Sequence, residues 1–96
     1  MDSIRRAAKI KEALYVRGLT FADIDRAYNL PEGTARTTIR EPNAKGEAAL
    51  SDALAIEPRT VWPERYDARG HRLEPQPPEN YRRPPTLRQR RIEQAA

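Results

Sequence analysis

A short polar stretch, residues 32–40, carries the side chains best suited to recognise another molecule. Arginine can donate two hydrogen bonds to the edge of a guanine, and threonine can donate, accept or contact the methyl group of a thymine. A helix that presents such groups on its outer face fits the major groove of DNA. The residues expected on that face are Glu32, Gly33, Thr34, Arg36, Thr37 and Arg40.

The same polar face is equally well explained as a solvated surface. Corners formed by two helices and a turn occur in small helical proteins that bind no ligand. The spacing of residues 32–40 by itself therefore leaves both interpretations open.

Other reactive groups are too sparse to form a catalytic or metal site. The chain has no Cys and a single His, His71, so a disulfide framework, a thiolate metal site and a histidine triad have no basis. Asp23 and Asp25 lie two positions apart, which places them on different faces of a helix. We therefore expect no enzymatic activity, no cofactor and no metal ion.

The composition allows one small domain with a modest core. The chain has 96 residues, of which 38% are hydrophobic and 33% charged. Lys and Arg number 18 against 14 Asp and Glu, and the net charge of +4 favours a polyanionic partner. No apolar run approaches the roughly 20 residues that cross a bilayer, and no signal-peptide core opens the chain. We expect a soluble protein with no membrane partner.

Helices must position the polar stretch. Apolar residues recur at three- and four-residue spacing, and no segment alternates for long enough to form a strand. Thr20 and Asp23 form a predicted capping box, and Pro31 suits the first position of a helix. The predicted helices cover residues 3–17, 20–28, 31–40 and 45–55, and a short turn follows at 58–62.

The second and third predicted helices form a helix-turn-helix unit. Ile24, Leu30 and Ile39 can pack together across the turn, which lets the third helix project its outer face. Asp25 lies in the middle of the first helix of the unit, where a small residue is usual. Its carboxylate must therefore reach solvent or a basic side chain such as Arg36.

The last part of the helical region carries several short motifs at fixed spacing. Trp62 is the single Trp and is expected to bury a large surface against the helices. For Arg65, pairing with an acidic neighbour and contact with phosphate are both open. The motifs are Lys45-Gly46-Glu47, Ala53-Leu54, Pro58 and Trp62-Pro63-Glu64-Arg65-Tyr66.

This combination of motifs resembles the Ner family of transposable-phage regulators and their bacterial relatives. The resemblance covers residues 9–66. It implies an all-helical, lambda-repressor-like DNA-binding domain that acts as a transcriptional repressor, with residues 31–40 as the reading helix.

Residues 67–96 differ in composition from the rest of the chain. They hold five of the nine prolines, seven arginines and only four large apolar residues. Such a segment cannot bury enough apolar surface to offset the entropy lost on ordering. We predict a helix-turn-helix domain at 1–66 and a disordered Pro/Arg-rich tail at 67–96, whose arginines add non-specific affinity for nucleic acid.

We therefore expect an all-α fold of four to five helices, with a disordered C-terminal tail. The expected function is sequence-specific repression of early or transposition genes of a phage or prophage, in the cytoplasm of a bacterial host. The expected partner is double-stranded DNA, bound by two copies on a two-fold operator because one unit reads few base pairs. Lys45 and the amide of Gly46 are expected to hold phosphate. The expected DNA contacts are Thr20, Glu32, Gly33, Thr34, Arg36, Thr37, Arg40, Lys45 and Gly46.

The rival interpretation is a protein–protein interaction module. In that case the helix-turn-helix is degenerate and serves as a docking surface, and the Pro/Arg-rich tail is the main binding element. Binding to duplex DNA at two salt concentrations separates the two interpretations.

Overall fold

Five α-helices and two short 3-10 helices make up the helical structure of residues 3–81, the part of the chain that the computed structural model describes. These residues contain no β-strand, which confirms the predicted all-α fold. No helix among them is long and apolar enough to cross a membrane. The α-helices are α1 Ser3–Val16, α2 Phe21–Ala27, α3 Thr34–Thr38, α4 Ala44–Leu54 and α5 Pro58–Val61, and the 3-10 helices are Pro63–Arg65 and Pro78–Tyr81.

One apolar core joins the helices and supports α3 from the inside. Helix α3 packs against α2 and α4. Trp62 is 0% exposed and closes the core, as its position at the end of the helical region predicts. The buried apolar residues are Ile10, Leu14, Ile24, Ala35, Ile39, Ala49, Leu50, Leu54 and Trp62.

Local capping explains where α2 and α4 begin. The Asp23 amide donates to the Thr20 hydroxyl oxygen at 3.1 Å, and the Thr20 amide donates to the Asp23 carboxylate at 2.8 Å. These two bonds confirm the predicted capping box, and the bond from the Thr20 amide is the main reason why the pKa of Asp23 is lowered. At the start of α4, the Asn43 side chain accepts a hydrogen bond from the Gly46 amide at 2.9 Å.

Helix α3 is shorter than its apolar pattern predicts. We expected a helix over residues 31–40, whereas the regular helix covers Thr34–Thr38. Pro31 does not start this helix, because the chain first passes through a turn in which Gly33 has a φ of 89°. That left-handed conformation is accessible to glycine at little steric cost.

The chain stays packed beyond Tyr66, after which we expected a disordered tail. Tyr66 and Arg72 form an isolated antiparallel bridge. The buried Gln76 side chain donates to the carbonyl of Arg65 at 2.9 Å. These contacts are polar, so a count of apolar residues does not reveal them. The rest of the predicted tail, residues 82–96, lies outside the described residues.

Candidate nucleic-acid interface

Helix α3 and the residues after it turn one side to the core and the other to solvent. Ala35 and Thr38 are buried, whereas Arg36, Thr37 and Arg40 are exposed. The three exposed residues are termed the reading face. The exposure of these three residues thus agrees with the outer face predicted from the sequence.

Both arginines of the reading face are available to a ligand. Neither the Arg36 nor the Arg40 guanidinium makes a hydrogen bond or ion pair with another residue in the range 3–81. By contrast, the exposed Arg26 on α2 pairs with Asp23. An exposed guanidinium without a partner can donate to a base edge or to a phosphate.

Three other predicted contact residues lie in the turn before α3 and at its first position. Glu32 and Gly33 are exposed in the turn, and Thr34 is half-buried at the start of the helix. The Thr34 carbonyl accepts a hydrogen bond from the Thr38 hydroxyl at 2.7 Å. Glu32 and Gly33 thus precede the reading face in the turn, and Thr34 lies in the same helix as Arg36 and Thr37.

The remaining predicted contacts divide into exposed and engaged residues. Lys45 is exposed in the first turn of α4, whereas the exposed Thr20 uses its hydroxyl oxygen to cap α2. Gly46 is buried, and a Cβ added there would lie 1.8 Å from the Thr38 hydroxyl oxygen. Its amide donates to Asn43. Contrary to expectation, this amide is therefore not available to a phosphate, because the cap of α4 already uses it.

Asp25 supplies a cap that α3 lacks. Its carboxylate accepts hydrogen bonds from the amides of Gly33 and Ala35, both at 2.8 Å, and the residue is only 5% exposed. We expected this carboxylate in solvent or beside a base such as Arg36, and neither arrangement is present. The first amides of a helix have no partner within the helix, and Gly33 has no side chain to accept from them.

A second buried carboxylate, that of Glu47, lies at the start of α4. Glu47 is 1% exposed. Its oxygens accept hydrogen bonds from the Asn43 amide (2.8 Å), the Arg65 guanidinium (3.2 Å) and the Tyr66 hydroxyl (2.8 Å). Arg72 adds a further contact at 3.3 Å. A buried charge is tolerated when it is paired and hydrogen-bonded in this way. Glu47, Arg65, Tyr66 and Arg72 are termed the buried ionic cluster.

Arg65 connects this cluster to the end of α3. It is 2% exposed, donates to the Thr38 carbonyl at 2.9 Å, and stacks at 4.8 Å from the centre of the Trp62 ring. Burial lowers the pKa of the guanidinium, and the neighbouring Glu47 carboxylate opposes that shift. Of the two roles that the sequence leaves open for Arg65, the structure shows pairing with an acidic neighbour.

The sequence did not predict that Asp25 caps α3 or that Glu47 is the buried partner of Arg65. Asp25 and Glu47 each lie three residues before an apolar residue, Tyr28 and Leu50 respectively. The exposed Arg36 likewise lies three residues before the buried Ile39, so this spacing does not mark a buried side chain.

A groove of about 360 Å³ lies between α1, the end of α4 and α5. None of its lining residues belongs to α2, α3 or the predicted contact set. Arg6 on its edge pairs with Glu64, and the Arg17 guanidinium donates to the carbonyl of Ala13 at 3.1 Å. Its lining includes the apolar Ile10, Ala13, Leu54 and Val61 and the cationic Lys9 and Arg17.

Known proteins resemble this chain over most of the region that the structure describes. A family described as winged helix-turn-helix DNA-binding matches residues 6–77. A negative regulator of transcription from Escherichia phage D108 is 30% identical over 59 residues, which cover 62% of this chain and 81% of that protein. No solved structure shows a significant match. The family match extends past Tyr66 and includes Arg72 and Gln76, in agreement with the packing of these residues.

Proposed function

The chain belongs to the winged helix-turn-helix DNA-binding family, and we propose that it is a sequence-specific transcriptional repressor that binds double-stranded DNA. The observation that carries the proposal is the reading face. It presents two exposed guanidiniums and a threonine hydroxyl on one side of α3 and the residues that follow it. The similar phage D108 protein is a negative regulator, which supports repression as the outcome of binding.

In the proposed complex, the reading face enters the major groove. Arg36 and Thr37 read base edges, and Arg40 and Lys45 contact phosphates. Thr20, at the start of α2, and the turn before α3 lie along the phosphate backbone. A reading helix of five residues covers few base pairs, so two copies bind a two-fold operator.

The regulator is further proposed to be Ner-like and to control early or transposition genes of a phage or prophage in the bacterial cytoplasm. Two observations support this assignment. The similar regulator belongs to a phage. Glu47, Arg65 and Tyr66, which carry much of the sequence resemblance, belong to one buried ionic cluster, so the motif corresponds to a single structural unit.

Selection of bound sequences from random duplex DNA with the full chain tests the proposal. We expect an enriched motif with two related half-sites. Titration at about 50 and 200 mM salt should then show binding to the selected duplex about 1,000-fold tighter than to a scrambled duplex. Absence of enrichment, with equal affinity for both duplexes, would overturn the proposal.

A protein-docking function is the second candidate, and the groove beside α1 favours it. Its apolar lining and the cations Lys9 and Arg17 suit an apolar segment that carries carboxylates. If docking is the principal function, the duplex titrations show only salt-sensitive binding without sequence preference.

A further inference from the structure

Helix α3 is too short to maintain its own orientation. It has five residues, and isolated helices of this length are unstable in water. Its N-cap residue, Gly33, makes no side-chain cap. The contacts that hold both ends of α3 therefore come from other elements.

The start of α3 is held by Asp25 of α2. The two carboxylate oxygens accept from the amides of Gly33 and Ala35, and the Asp25 carbonyl accepts from the Leu30 amide at 2.8 Å. Asp25 thus binds both the loop that connects α2 to α3 and the first helical turn of α3. A negative charge at this end also matches the partial positive charge of the helix N-terminus.

The end of α3 is held by Arg65. Its guanidinium donates to the Thr38 carbonyl at 2.9 Å and is itself fixed by Glu47 at 3.2 Å. The last carbonyls of a helix lack partners within the helix, and a positive charge suits this end. A buried negative charge therefore binds the start of α3 and a buried positive charge binds its end, each opposite in sign to the partial charge of that helix end.

We propose that Asp25 and Arg65 form a two-ended clamp that sets the orientation of α3, and that Asp25 is a positioning residue for sequence discrimination. This inference rests on the proposed DNA-binding function. Because Asp25 occupies the amides of Gly33 and Ala35, contacts to DNA from the start of α3 come from side chains. A small displacement of α3 then misplaces the reading face, whereas phosphate contacts made by α4 are unaffected.

The test compares Asp25→Ala and Asp25→Asn with the matched control Asp23→Ala in the full chain. Both aspartates cap a helix, but Asp23 caps α2 and does not touch α3. Binding to the selected and scrambled duplexes is measured at a temperature at which circular dichroism shows every variant to be folded. We expect Asp25→Ala to reduce the preference for the selected duplex by about tenfold, the equivalent of one lost base contact. Asp25→Asn, which retains one acceptor oxygen, should lie between Asp25→Ala and the wild type, and Asp23→Ala should keep the full preference.

Amide hydrogen exchange of the wild-type chain provides a second measurement that needs no variant. The amides of Gly33 and Ala35 should exchange as slowly as those inside α4, and the exposed Glu32 amide should exchange fast. Fast exchange of Ala35 would overturn the clamp, as would an Asp25→Ala variant that retains the full preference or loses affinity equally for both duplexes. If the wild type itself shows no preference, the proposed function fails instead.

Discussion

The reading face and the segment that closes the domain, residues 62–76, both carry arginines, but the arginines have different roles in the two regions. Arg36 and Arg40 on the reading face are exposed and have no partner among the described residues. Arg65 and Arg72 in the closing segment surround the buried carboxylate of Glu47. Burial and partners thus decide whether an arginine supports the fold or remains available to a ligand.

This difference predicts how each region responds to substitution. Changes in the closing segment remove buried contacts and should lower the free energy of unfolding. Changes on the reading face remove no contact within the protein and should affect DNA binding alone.

The largest effect is expected for Trp62→Ala. Removing this fully buried ring should lower the free energy of unfolding by about 3–5 kcal/mol, which is a large share of the stability of so small a domain. Thermal melting followed by circular dichroism measures the change. Tyr15→Ala is the control, since Tyr15 is 83% exposed. Similar cooperative melting of the Trp62 variant and the wild type would contradict the role of Trp62 in the core.

Glu47→Gln tests the buried ionic cluster directly. The substitution keeps the side-chain shape but leaves the buried Arg65 charge without its partner, so we expect a loss of about 3 kcal/mol. Glu57→Gln is the matched control, because its ion pair with Arg59 is exposed. Equal urea-unfolding midpoints for the two variants would show that the cluster does not stabilise the fold.

Two truncations separate the closing segment from the residues beyond it. Removal of residues 67–96 deletes the contacts of Arg72 and Gln76 and should cost about 1–3 kcal/mol of stability. Removal of residues 82–96 alone should preserve the melting temperature and weaken DNA binding at low salt, because five arginines are lost. If the two truncated chains melt alike, the contacts of the closing segment contribute nothing to stability.

Arg36→Ala tests the reading face. If Arg36 reads a base edge, the variant should lose about 1–3 kcal/mol of binding free energy on the selected duplex, with relaxed preference at one position. Arg40→Ala is the comparison, since a phosphate contact weakens all duplexes alike and reduces the salt slope by about one. Both variants should unfold like the wild type. Unchanged binding of both variants to both duplexes would exclude α3 as the reading helix.

The smallest effect concerns the Tyr66 hydroxyl. Burial and its hydrogen bond to Glu47 raise the pKa of Tyr66 above its ordinary value of 10.0. The contribution of the hydroxyl is therefore fully present below pH 10, and it is lost at higher pH as tyrosine ionises in the unfolded chain. Tyr66→Phe should be less stable than the wild type by about 1 kcal/mol at neutral pH, and the difference should narrow above pH 10. Urea unfolding of both proteins at pH 7 and above pH 10 measures this difference. A difference in stability that does not change with pH would show that the Tyr66 hydroxyl is not stabilised by its bond to Glu47.

Local patterns in the sequence determine much of this fold. The helices follow from apolar spacing over three and four residues, and the start of α2 follows from the capping box of Thr20 and Asp23. The exposed positions of Arg36, Thr37 and Arg40 follow from the same periodicity, because the apolar Ala35 and Ile39 must face the core. These interactions join residues close in the chain, so their spacing is visible in the sequence.

Only the tertiary structure decides the partners of the buried charges. Asp25 binds an amide ten positions away, and Glu47 meets Arg65 and Arg72 at separations of 18 and 25 residues. Helical spacing cannot specify such pairs, because they depend on how separate helices pack together. The same packing buries Gly46 against Thr38 and holds the chain in place beyond Tyr66 through polar contacts. The sequence therefore indicates which face of α3 meets solvent, whereas long-range pairing of buried charges sets how that face is held.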